Sequence, residues 1–181
     1  MKETFKNLIA YIKNPVLEKD SNKEIGYRFK TFFYLLIISV LTSLIITPIY
    51  SIIEALGLVD MDTHKAEEMF KDMNALQIVL IAAITIPIIE ELIFRAPITA
   101  FKKPKSFTYA FYIFTLIFGF IHITNFEITT NVLLLSPILI LPQLLVGSYF
   151  GYIRVKFGLI WSMLLHGSYN GFLFLMSFLA E

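Results

Sequence analysis

An all-α bundle of about five to six membrane-crossing helices is the fold class this sequence predicts, and three observations predict it. Hydrophobic residues make up 57% of the 181 positions and charged residues only 16%, which departs in both directions from soluble domains. Five apolar stretches approach the roughly 20 residues that a helix needs to cross about 30 Å of hydrocarbon. Lys and Arg gather in alternate connections between those stretches, as they do when one side of a membrane protein faces the cytoplasm.

The elements follow in order. Before the first apolar run, Phe5, Leu8, Ile9 and Ile12 recur at helical spacing beside Lys2, Lys6 and Lys13, which predicts a short interfacial helix ending at Pro15. The spans are expected at 32–53, 76–101, 107–123, 132–153 and 159–179. Glu90 and Glu91 interrupt the second, and Pro137 and Pro142 lie in the fourth, so kinks are expected in both. Gly147 and Gly151 form a small-xxx-small pair that admits a neighbouring helix. The whole chain, 1–181, reads as a single membrane domain. Residues 1–31 form its N-terminal cytoplasmic or interfacial segment, and 76–179 carry the polar residues.

Loop charges orient the bundle. The N-terminal segment, Lys102 to Lys105, and the turn holding Arg154 and Lys156 are basic, whereas the 54–75 connection is mainly acidic, with Lys65 and Lys71 its only basic residues. The expectation is a multi-pass protein of the cell membrane with its N-terminus cytoplasmic and Glu181 outside. The first span is expected to remain in the membrane, because no removable signal peptide precedes it.

Composition also excludes some chemistry. Without cysteine there is no disulfide, thiolate nucleophile or Cys-based metal site, and a net charge of +1 with dispersed basic residues argues against a nucleic-acid partner. The expected partners are membrane lipid and a hydrophobic peptide or membrane-protein substrate. Within the spans, the ionisable side chains of interest are Glu90, Glu91, Arg95, His122 and His166, joined by Asn170. A charge at mid-bilayer costs about 2.5 to 3.5 kcal/mol on the lenient insertion scale, so such groups face a protein interior or a wet cavity.

Spacing divides these residues. Glu91 and Arg95 are four apart in the favourable order for a helical ion pair, while Glu90 points about 100° away. Phe118 and His122 share a face, as do His166 and Asn170. Counting at 1.5 Å per residue from the basic connections puts Glu90 at roughly 17 Å, His166 at roughly 13 Å, Asn170 at roughly 19 Å and His122 at roughly 24 Å. Four polar groups from three spans therefore meet the middle of the bilayer. They admit three readings: interhelical hydrogen bonds, a proton relay, or a catalytic site. A relay carrier is disfavoured, since the spans show no inverted repeat.

The motifs carry a resemblance. Glu90, Glu91, Phe94 and Arg95 read EExxFR, Phe118 and His122 read FxxxH, and His166 and Asn170 read HxxxN. In that order, across successive apolar spans, they resemble the CPBP intramembrane proteases, also called the CAAX protease and bacteriocin-processing or Abi family. The stretch holding Gly147, Gly151, Gly158, Ser162, Met163 and His166 is similar to that family's last block. The short chain suits its small bacterial branch.

The resemblance implies an endopeptidase that cuts a membrane-associated peptide or protein. In it Glu90 and His122 would activate water and His166 and Asn170 would hold the oxyanion, with Glu91, Arg95, Phe94 and Phe118 in support and no cofactor. Two alternatives use the same residues. Glu90, His122 and His166 are a possible zinc set with water as fourth ligand, and the family also contains bacteriocin immunity proteins, so a non-catalytic peptide binder is the competing function.

Overall fold

The computed structural model describes residues 1–61 and 72–180, and His64, Lys65 and Lys71 of the acidic connection lie outside them. The described elements are α1 (Lys2–Lys13), α2 (Ile25–Ala55), α3 (Ala75–Ile78), a π-helical stretch (Val79–Thr85), α4 (Ile86–Phe94), α5 (Pro104–Ile121), α6 (Thr130–Leu139), α7 (Leu141–Phe157) and α8 (Leu159–Ala180). Short 3₁₀ turns occupy Pro97–Ala100 and His122–Asn125. Five helical stretches among the described residues are long and apolar enough to cross a membrane: Ile25–Ala55, Ala75–Ala100, Pro104–Asn125, Thr130–Phe157 and Leu159–Ser177. The protein is a polytopic helical bundle.

The bundle is arranged around α7. This helix packs against α1, α2, α5, α6 and α8, and every residue from Val146 to Ile153 is buried, as expected of a helix without a polar face. The surrounding helices turn apolar side chains outward instead. Ile45 is 75% exposed and Leu134 74%, an arrangement that suits lipid and would be unfavourable in water.

Two features of α7 set its neighbours. A Cβ on Gly147 would lie 2.7 Å from Phe118 Cδ1 and 2.8 Å from Arg95 Nη2, and one on Gly151 would lie 2.7 Å from Phe111 Cε2. The small-residue pair therefore admits α5, and it does so by making room for side chains. At the basic end Arg154 reaches the exit of the second span, where its Nε donates to Arg95 O at 3.0 Å and its Nη2 to Thr99 Oγ1 at 2.8 Å. The first bond serves a carbonyl that the ending helix leaves open, and the second goes to a hydroxyl.

The fourth span is broken, as its prolines predict. α6 ends at Leu139, Ile140 leaves helical geometry with φ −98° and ψ 3°, and α7 starts with Pro142 in its first turn. Pro142 has no N–H to return to Ile138 O. Beside the break, Tyr50 donates to Leu139 O at 2.8 Å, so a side chain from α2 ties down the last residue of α6.

In the second span the irregularity is not where the glutamates are. Glu90 and Glu91 lie within the regular helix α4, and the distortion is the π stretch one turn earlier. Its i→i−5 pattern runs to Ile86 N donating to Ile81 O. The next bond of that series would join Pro87 N to Ala82 O, and Pro87 has no hydrogen to give. Asn170 Nδ2 of α8 supplies it, donating to Ala82 O at 3.0 Å.

The N-terminal helix docks on the basic end of the bundle. Leu8 and Tyr11 are buried, Tyr112 donates to Ile12 O at 2.8 Å and Thr108 to Pro15 O at 3.1 Å. Phe5, by contrast, is 48% exposed. Only part of the predicted apolar stripe therefore turns inward.

One substitution separates tight from forgiving contacts. A Cβ on Gly167 would run into the backbone carbonyl of Ala83, whereas one on Gly119 would meet only the end of the Leu144 side chain. Overpacking against fixed atoms costs about 1–3 kcal/mol. Gly167→Ala is expected to lower the melting temperature in detergent clearly more than Gly119→Ala does, as read by a thermal-shift assay.

Candidate active site

Adjacent positions on α4 face two environments. Glu91 is fully buried, while the Glu90 side chain is 19% exposed and lines a cavity of about 340 Å³. The same cavity is lined by His122 from the end of α5 and by His166 and Asn170 from α8. The four residues singled out from sequence thus share one cavity, with Phe118 and Phe150 in its wall.

Distances define the cluster. Glu90 Oε1 lies 4.0 Å from His122 Nε2, and Glu90 Oε2 lies 3.4 Å from His166 Nε2. Both imidazoles are held by their other nitrogen. His122 Nδ1 is 2.6 Å from Phe118 O; a carbonyl only accepts, so Nδ1 carries the hydrogen. His166 Nδ1 sits 3.1 Å from Glu91 Oε1. Each ring therefore presents Nε2 to Glu90.

Glu91 has closer partners than the one its spacing predicts. Arg95 Nε is 3.9 Å from its Oε1, beyond a hydrogen bond, while the Ser162 hydroxyl bonds its Oε2 and His166 takes Oε1. Ser162 also lies 2.9 Å from Phe150 O. The carboxylate links α4 to two places on α8. Such contacts join residues more than 70 apart in sequence and have no spacing signature.

Arg95 is 1% exposed and is held mainly by aromatic faces and one carbonyl. Its guanidinium stands 4.0 Å over the Phe118 ring, a cation–π contact of the kind strengthened by desolvation, and Nη2 donates to Gly147 O at 2.9 Å. Phe118 is thereby fixed between Arg95, Phe94 at 5.5 Å, His122 at 4.8 Å and His166 at 5.8 Å, ring centre to ring centre for the aromatic pairs. Phe150 stacks on His166 at 4.4 Å. Phe94 supports Phe118 from behind, and Phe118 itself forms part of the cavity wall.

Asn170 lines the cavity, but its amide is partly committed to Ala82 O. An amide nitrogen carries two hydrogens, so one remains for the cavity. Two residues escaped the sequence reading altogether as site components: Phe150, whose stacking is visible only in three dimensions, and Gln143, a cavity-lining amide in the apolar run around Pro142. A polar side chain in a span was the available signal for Gln143. Among the described residues no group of three His, Cys, Asp or Glu side chains is arranged to hold a metal ion.

The model of the family described as Type II CAAX prenyl endopeptidase Rce1-like matches residues 72–172. The chain belongs to that family. No curated protein and no solved structure gives a match. The matched segment covers α3 through most of α8 and contains every residue of the cavity cluster, leaving α1 and α2 outside. Rce1-like proteins form a protease family, and the five apolar spans make this member a membrane protein.

The buried network has a direct consequence. Removing one member of a desolvated pair costs about 3–5 kcal/mol, so Glu91→Gln is expected to lower the detergent melting temperature strongly. Ser162→Ala, which deletes one bond to the same carboxylate, is expected to lower it by less, with a cost of about 1.5–3 kcal/mol for a hydrogen bond to a charged group. Thermal unfolding of the two variants checks the order.

Proposed function

We propose that the protein is an intramembrane endopeptidase in which Glu90 and His122 activate a water molecule. The observation that carries this reading is the 4.0 Å separation of Glu90 Oε1 and His122 Nε2 across the wall of a shared cavity. It is too long for a direct hydrogen bond and suits one bridging water. With Nδ1 donating to Phe118 O, His122 turns a lone pair toward that water, and Glu90 offers another. A water donating to both has its oxygen lone pair directed away from them.

Attack by that oxygen on a substrate carbonyl forms the new C–O bond while Glu90 takes a proton. Collapse of the tetrahedral intermediate breaks the C–N bond, and the same proton passes to the leaving amine. The second hydrogen of Asn170 supplies the oxyanion site, joined by His166 Nε2 when the ring carries a hydrogen on each nitrogen, Nδ1 giving its own to Glu91. Glu91, by holding His166 Nδ1, sets which face of the ring meets the reacting carbonyl. The substrate is a hydrophobic peptide or membrane-protein segment, for which Ile121, Leu173 and Phe174 provide apolar walls beside the polar centre. The prenylated CAAX end named by the family is one member of that class.

Orientation belongs to the same proposal. The basic N-terminal segment, the Lys102 to Lys105 connection and the Arg154 turn lie at one end of the bundle, which the charge rule assigns to the cytoplasm of the cell membrane. The native chain has no cysteine, so single cysteines report topology cleanly. A cysteine at Glu127 is expected to react with a membrane-impermeant maleimide in intact cells, and one at Lys103 only after permeabilisation; the reverse pattern means an inverted bundle.

Glu90→Gln is nearly isosteric but cannot act as a base. It is expected to reduce cleavage of membrane-fraction peptides at least a hundredfold, within the contribution of about 10²–10⁴-fold typical of general bases, while the melting temperature stays near wild type. Full cleavage by this variant sinks the glutamate mechanism. Retention of activity after chelator washing supports the metal-free reading over zinc, and loss restored by Zn²⁺ supports the reverse. An immunity protein that binds without cutting would keep its protective effect in Glu90→Gln.

A further inference from the structure

We propose that Gln143 is a substrate-binding residue that holds the main chain of the peptide about three residues from the scissile bond, an inference that rests on the protease reading above. Gln143 stands in the wall of the cavity that contains Glu90, His122, His166 and Asn170. Its Oε1 is buried and has no hydrogen-bond partner among the described residues. A buried polar atom without a partner is uncommon in a folded protein and calls for an explanation. Here the surroundings are apolar helix faces, and Leu or Met of similar size would pack there without that cost.

The chemistry of the vacant bond identifies what fits it. A primary amide offers one acceptor and a two-hydrogen donor, the same complement as a peptide group, so it pairs with main chain whatever the side chains are. Asn170 in the same cavity already gives a hydrogen to Ala82 O. The Gln143 acceptor has no partner among the described residues, and it meets a substrate N–H once the amide turns toward the cavity that the residue lines.

Position gives the register. Gln143 precedes Phe150 by two turns of α7, which is about 10 Å at 1.5 Å per residue, and Phe150 is the residue stacked on His166. An extended peptide rises about 3.3 Å per residue. Main chain that places its carbonyl beside Glu90 and His166 thus reaches the level of Gln143 about three residues later. The direction is away from the basic end, because α7 runs from Leu141 to the Arg154 turn.

The test uses the purified full chain in lipid nanodiscs and a library of peptides prepared from a membrane-fraction digest. The best-cleaved sequence is resynthesised as a series in which each backbone N–H in turn is replaced by an ester oxygen. Wild-type protein is expected to show one position, about three residues from the cut, where the ester raises KM about tenfold, the size of one hydrogen bond. Gln143→Leu is expected to raise KM of the all-amide peptide by a similar factor and to be indifferent to the ester at that position. A merely structural role for Gln143 would lower activity without that coupling, and equal ester profiles in the two proteins overturn the proposal. The Gln143→Met variant repeats the measurement should the Leu variant melt early. If wild type cleaves nothing in the library, the protease reading fails and this inference with it. Cleavage with uncoupled Gln143 effects removes only the inference.

Discussion

The buried carboxylate of Glu91 is the constraint on which the rest of the structure depends. It lies in the membrane interior, bonds Ser162 and His166 on α8, and sits beside Arg95. Desolvating charges is costly, and the cost is offset only when their hydrogen-bonding capacity is met. Here that condition recruits three parts of the chain at once: α4 supplies Glu91 and Arg95, α8 supplies His166 and Ser162, and α7 supplies the Gly147 carbonyl that receives Arg95. A group that tolerates so few arrangements fixes helix register more sharply than apolar packing, which slides at little cost.

The same network is the back of the candidate active site. His166 is pinned through Nδ1 by Glu91 and by stacking on Phe150, so its Nε2 meets Glu90 in a defined place. His122 is pinned through Nδ1 by Phe118 O, and the Phe118 ring is pinned in turn by Arg95. In the proposed mechanism, structural and reactive duties fall on opposite nitrogens of the same rings. Adjacent glutamates make this division simple, because a helix turns successive side chains by about 100°, one toward the core and one toward the cavity.

Backbone irregularity serves the site as well. Pro87 deprives Ala82 O of its next ladder bond, and Asn170 makes up the loss. The exchange ties the cavity wall of α8 to the π stretch, and Gly167 keeps α8 close enough for it to happen. π segments often occur at functional sites for this reason, since they release a carbonyl to a distant partner.

Much of this protein was legible in its residues. Apolar runs of membrane-spanning length, the paired prolines of the fourth span, and the i,i+4 pairs depend on local chemistry and helix periodicity, and these determined the bundle, the broken helix and which helix faces carry Glu90, His122, His166 and Asn170. The tertiary structure alone decided what those groups touch. Spacing assigns Glu91 to Arg95, yet its hydrogen bonds go to Ser162 and His166; the glutamates lie in regular helix, and the irregularity is the π stretch before them; Phe150 gave no sign of joining the site, and Gln143 showed only as a polar residue in a span. Periodicity reports which face a residue occupies, whereas hydrogen-bond partners depend on how separate helices rotate and approach, and that is settled by long-range packing.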